Sequence, residues 1–165
     1  MSGAKAKQAE KDPGEVTALQ AALAAEHAAV YGYGVVGGLI GEARRTEAMA
    51  AYDAHRARRD ELARTVRALG SKPVAAAAGY ALPFPVQDSD AAVRLAAELE
   101  ERVAGVYSDL VRAAGGERRR TGADALREAA VRAVRWRGGS VPFPGLAERA
   151  GSASASATAS VTPSA

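Results

Sequence analysis

From Val16 to Ile40, the residues Val16, Leu19, Leu23, Glu26, Val30, Tyr33, Gly37 and Ile40 follow one another at alternating steps of three and four. That period is the seam of a helix laid lengthwise against other helices, and it rules out a strand, whose faces repeat every second residue. One member breaks the apolar pattern, because Glu26 stands where a core residue is expected. A carboxylate carried into a bundle core costs several kcal/mol unless it is paired, ligated or protonated. The functional reading therefore starts from Glu26 and from what the other helices bring to meet it.

A chain of 165 residues supports one domain with a proper core. Hydrophobic residues make up 48% but aromatics only 5%, so much of the core is alanine, which suits helices in close approach. The absence of cysteine excludes disulfides, thiol catalysis and thiolate metal sites. Net charge is only +3, too mild to imply nucleic acid or membrane attraction. The polar start Met1 to Lys11 lacks the apolar core of a signal peptide. The run Val30 to Ile40 is too short and glycine-rich to cross a bilayer. A cytoplasmic protein without a membrane partner is expected.

Asp12-Pro13-Gly14-Glu15 opens the first helix, with a cap at Asp12 and proline at the first helical position. This helix runs to about Ile40. The second runs from about Glu42 to Leu69, stopped by Gly70 and Pro73, with a seam of Ala48, Tyr52, His55, Arg59, Leu62, Val66 and Leu69. Its short link to the first predicts antiparallel packing. Ser71 to Gln87 has no helical period and carries Tyr80-Ala-Leu-Pro-Phe-Pro-Val86, which reads as an ordered crossover. The third helix opens at Asp88 and runs to about Ala114, with Glu100 on the side of its apolar arc widened by Tyr107. Arg118 to Arg120 reads as a basic loop, and Thr121 with Asp124 as the cap of a fourth helix ending near Arg137, with Leu126, Ala130, Ala133 and Val134 buried. Val141-Pro142-Phe143-Pro144 then repeats the Pro-Phe-Pro of the crossover. The expected layout is a flexible arm over 1–12, a bundle over 13–150 and a disordered Ala/Ser/Thr tail over 151–165.

Three side chains form the candidate metal set, Glu26, His55 and Glu100, because carboxylates and an imidazole facing inward from separate helices can hold iron or manganese. The competing reading is a buried polar network of Glu26, Tyr33, Tyr52, His55 and Arg59, in which Arg59 or protonated His55 neutralises Glu26. Arg59 lies one turn from His55, which sets a fixed positive charge beside any metal and favours the network. His27 follows Glu26 and faces sideways, as a surface or partner-facing residue. Gly32, Gly34 and Gly37 match G-x-G-x-x-G, but an alanine-rich helix precedes them where a dinucleotide site needs a strand. Close helix packing explains them better. The arginines at 44, 45, 56, 58 and 59 lack an aromatic platform, so they read as a solvated face and not as a nucleic-acid surface.

Two helices, a long crossover and two more helices, with a carboxylate in the first seam, resemble the ferritin-like superfamily. Leu23-Ala-Ala-Glu26 followed by Tyr31 and Tyr33 is similar to the first ligand helix of ferritins, and Leu99-Glu100-Glu101-Arg102-Val103 to their third, which places Glu100 at a ligand position. The stretch from about Val16 to Leu146, including both Pro-Phe-Pro segments and Val134-Arg-Trp-Arg137, resembles more closely an uncharacterised bacterial family classed as a ferritin-like domain of unknown function. The resemblance implies an all-α, ferritin-like four-helix bundle and a di-metal site of about six ligands. The Glu-x-x-His of such sites is replaced here by Tyr52-x-x-His55, and helix 4 offers only Glu128-x-x-Val131. The expectation is an incomplete or absent metal site in a non-catalytic binding or structural protein. An alanine- and glycine-rich helix face suits a homodimer. The alternative is an iron- or manganese-binding oxidoreductase using Glu26, His55 and Glu100.

Overall fold

The computed structural model describes residues 12–138. The predicted arm, the second Pro-Phe-Pro segment and the Ala/Ser/Thr tail lie outside the described residues. Four helices follow in order: α1 (Pro13–Leu39), α2 (Glu42–Ala68), α3 (Ser89–Ala113) and α4 (Gly116–Arg137). Among the described residues there is no strand, and no helix is long and apolar enough to cross a membrane.

The caps set the ends. Asp12 accepts the Gly14 amide with Pro13 in the first turn, and Asp88 accepts the Ala91 amide, so each fills an otherwise orphaned donor. Gly70 takes a left-handed φ of 70°, closing α2 where the sequence placed its stop.

Two apolar clusters make the core. One gathers Leu19 and Leu23 of α1, Leu62 and Val66 of α2, Tyr107 and Leu110 of α3, and Ala125 and Ala129 of α4. The other gathers Tyr33 and Val36, Ala48 and Ala51, Ala92 and Leu95, and Trp136. The start of α1 thus meets the ends of α2 and α3 and the start of α4, so α1 runs antiparallel to α2 and α3. Segment 70–88 joins α2 to α3. Gln20 holds it by donating to the Lys72 carbonyl and accepting the Val74 amide. His27 contacts the Val74 carbonyl at 3.2 Å, which gives that histidine an intramolecular role. Further along, Leu82, Phe84 and Val86 pack on the second cluster.

Three expectations are corrected. First, α4 begins at Gly116, not at Thr121. The arginines read as a loop lie on its first turns, where Arg119 donates to the last carbonyls of α3, Val111 and Ala114, and Arg118 pairs with Glu15. Second, α4 buries Gly122, Ala125, Ala129, Ala133 and Trp136, while Leu126, Ala130 and Val134 are only half-buried. Small residues let α4 approach α3 closely, and the larger ones fall to the side. Third, α2 buries Ala48, Ala51, His55, Leu62 and Val66, so its seam passes through Arg58 and not Arg59. In α1, Val16 and Val30 are half-buried and Gly37 is exposed, while Glu26 is fully enclosed. Of the three motif glycines only Gly32 is tightly packed: a Cβ there would lie 2.6 Å from Leu99.

Candidate functional site

Between the two apolar clusters lies a polar layer contributed by all four helices. Its centre is His55 of α2, 1% exposed. The Nδ1 atom of His55 is 2.6 Å from Glu26 Oε2 of α1, and Nε2 is 3.1 Å from Glu100 Oε1 of α3. Each carboxylate also accepts from a buried tyrosine: Tyr107 donates to Glu26 Oε1 at 2.7 Å and Tyr33 to Glu100 Oε1 at 2.6 Å. Helix α4 completes the layer. Arg132 Nε donates to Glu100 Oε1 at 2.7 Å, and the indole of Trp136 donates to the Tyr33 hydroxyl at 2.8 Å. Tyr33 also stacks on the His55 ring, centroids 5.2 Å apart. Arg44 sits 4.0 Å over the other side of Trp136 and donates to the carbonyls of Trp136 and Arg135, occupying acceptors that the end of α4 leaves open.

The electrostatics follow from this geometry. Burial works against a charged His55, but hydrogen bonds to Glu100 and Glu26 outweigh it and raise its pKa to about 9. Glu100 is opposed by burial in turn, yet the His55 bond and the nearby Arg132 hold its carboxyl below the usual range. Burial and the adjacent carboxylates push both tyrosine hydroxyls up, so near neutral pH they act as proton donors. Each buried acidic side chain has a basic partner, His55 for Glu26 and both His55 and Arg132 for Glu100, the condition under which a buried ionic group is tolerated.

All three predicted metal candidates meet here, but in an arrangement suited to protons. Two ligand atoms on one ion, each about 2.1 Å from it, sit roughly 3 Å or more apart, so the 2.6 Å between Glu26 and His55 is the spacing of a shared proton. Each imidazole nitrogen faces a different carboxylate, and Arg132 sets a fixed cation on Glu100. Among the described residues no group of three His, Cys, Asp or Glu side chains is disposed to hold a metal ion. The residues do not fit a metal as they stand. Glu100 Oε2 is buried with no hydrogen-bond partner among the described residues, the one incomplete point in the layer.

The predicted network is corrected in its membership. Glu26, Tyr33 and His55 are in it. Tyr52 is half-buried beside the second apolar cluster with the Arg56 guanidinium over its ring, and Arg59 turns to Asp60 at 2.8 Å. Tyr107, Arg132 and Trp136 were missed. For the two α4 residues the signal was present: Gly122, Ala125, Ala129, Arg132 and Trp136 repeat at steps of three and four, with one charged residue interrupting a seam as Glu26 does in α1.

An all-α four-helix protein with a closed, charge-paired layer at mid-core is what the fold and site define. Residues 18–148 match the family described as Domain of unknown function (DUF4439), and the chain belongs to that family. It is similar to the crystal structure of a conserved hypothetical protein, rv2844, from Mycobacterium tuberculosis, with 38% identity and a TM-score of 0.73 over 75% of this chain and 95% of that one. No curated protein matches the sequence.

Proposed function

We propose that this is a non-catalytic binding or structural protein built on a ferritin-like bundle, in which a hydrogen-bonded ionic layer stands where di-iron relatives keep their metals. One observation carries the reading: Arg132 lies 2.7 Å from Glu100, so a guanidinium supplies the charge that a cation would otherwise bring to that carboxylate. A permanent positive charge there repels a divalent ion and needs no redox partner. A homodimer through an alanine- and glycine-rich helix face belongs to the same reading.

The test is the metal content of protein expressed in iron- and manganese-supplemented medium and purified without chelators. The expected result is far less than one equivalent per chain. Stoichiometric iron or manganese, lost on changing Glu26 or Glu100 to Ala, would replace this reading with that of a metal-dependent oxidoreductase.

A further inference from the structure

A second concave feature lies outside the polar layer, between α1 and α3 and beneath segment 80–83. Its volume is about 260 Å³. The hollow has a simple sequence cause: on α1 the residues that border it are Ala25, Ala28 and Gly32, one helical face with almost no side-chain volume. Opposite them stands Leu99, whose side chain packs so closely on Gly32 that a Cβ there would clash with it. Tyr31 and Tyr80 border the opening, their rings 5.5 Å apart and tilted by 51°. Tyr31 is 41% exposed, so part of its ring is open to a ligand at the mouth of the cleft.

The polar inventory of the cleft is short. Tyr80 already accepts the Ala77 amide, and among the described residues Arg102 is tied only to Glu98, by an exposed pair one turn away on the same helix. Such a pair contributes a few tenths of a kcal/mol, so the guanidinium is available to a better partner. Water gains little in a hollow walled by alanine, leucine and aromatic rings, because an ordered water needs two to four polar neighbours. A cavity of about 150 Å³ accommodates benzene, so this one has room for two fused rings. Mostly apolar walls with one convergent charge are the composition of a small-molecule site.

We propose that this cleft binds a small flat aromatic carboxylate, with its ring over the alanine face between Tyr31 and Tyr80 and its carboxylate on Arg102. The site is separate from the polar layer, so it stands or falls apart from the metal question. The experiment uses the full chain with 1-naphthoate and its uncharged analogue 1-naphthalenemethanol, followed by calorimetry and by amide chemical-shift mapping. Saturable naphthoate binding is expected, with shifts at Ala28, Gly32 and Tyr80 and about tenfold weaker binding of the alcohol, the loss of one charge-assisted contact. Arg102→Gln should abolish that tenfold preference, and Ala28→Leu should remove binding of both probes by filling the hollow. Tyr80→Ala, on the connection and outside the helices, should weaken both while leaving the melting temperature near the wild-type value. No saturable naphthoate binding in the millimolar range, shifts confined to another surface, or unchanged binding by Ala28→Leu would each overturn the proposal.

Discussion

Two of the glutamates paired to arginines of α4, Glu15 and Glu100, are held in different ways. At the bundle end, Glu15 receives Arg118 through two parallel bonds of 2.6 and 2.8 Å. At mid-core, Glu100 receives Arg132 through a single bond, on an oxygen shared with Tyr33 and His55. The first pair has the better fork geometry, yet Arg118 is 41% exposed where Arg132 is 18% exposed and Glu100 is wholly enclosed. Water can take over Arg118 if Glu15 is lost, whereas Glu15, 7% exposed, depends on its arginine. Glu100 is fully enclosed at the centre of a wider network, which is why the weaker-looking contact should matter more.

The sharpest way to break this contrast is to delete a carboxylate from the layer. Glu100→Ala leaves His55 with Glu26 alone and Arg132 with only the more distant Glu128, and breaking a buried pair in this way costs about 3–5 kcal/mol. Urea unfolding measures it. Replacing Glu26, His55, Glu100 and Arg132 together by apolar residues of similar volume should recover much of the loss, since well-packed apolar substitutes for buried ions are often neutral or stabilising. A cost below about 1 kcal/mol for Glu100→Ala would mean that water reaches the layer.

The next effect is a pH dependence. His55 has a folded pKa of about 9, raised above its ordinary 6.5, so the folded state holds this proton more tightly than the unfolded one. The resulting stability, about 3 kcal/mol by linkage, is fully present below the unfolded value and is lost as pH rises through the folded one. Melting temperature should therefore fall between about pH 7 and 9.5, and His55→Gln should flatten that fall. A wild-type curve that is level across this interval would show His55 to be neutral.

Smaller still is the effect at the rim. Glu15→Ala, which leaves only the 41% exposed Arg118 without its partner, should cost about 1 kcal/mol, the upper range for a surface pair with bidentate geometry. Added salt should shrink that cost, while the cost of Glu100→Ala should hardly respond. Equal salt sensitivity of the two would erase the distinction between rim and core.

How much of this was legible depended on how sharply each helix separates large from small residues. In α1, leucines and a tyrosine recur against alanine and polar positions, and Asp12 with Pro13 marks its start, so both the helix and the burial of Glu26 could be read. In α3, Asp88 marked the start and Tyr107 pointed to the side on which Glu100 lies. In α4, alanine occupies several faces and the helix begins at Gly116, after Gly115 and without a side-chain cap, leaving the boundary unmarked and the phase carried only by small residues and Trp136. Arg132 was lost with it, since an arginine among alanines looks solvated until the helix opposite is known to supply a carboxylate. In α2 the error was a rotation by one residue. Choosing Tyr52 over Ala51 and Arg59 over Arg58 preferred bulk on a face where the core is filled from the other helices.

That rotation yields the smallest and most discriminating prediction, because adjacent arginines of α2 exchange roles under the two phases. Arg58 bonds Glu128 of α4 at 2.7 Å, is 19% exposed, and lies 6.0 Å over the Tyr107 ring, so truncating it removes an interhelical tie and a cation–π contact. Arg59 bonds only its neighbour Asp60, a contact within one helix that orders two side chains for little return. Arg58→Ala should therefore cost about 1 kcal/mol, whereas Arg59→Ala should stay within about 0.5 kcal/mol of wild type, as surface substitutions do. Measured side by side in urea, the two variants differ by one position in sequence and by one face in the fold. If Arg59→Ala proves the costlier, α2 is turned as its bulkiest residues suggest, and Arg59 rather than Arg132 belongs beside Glu26 and His55.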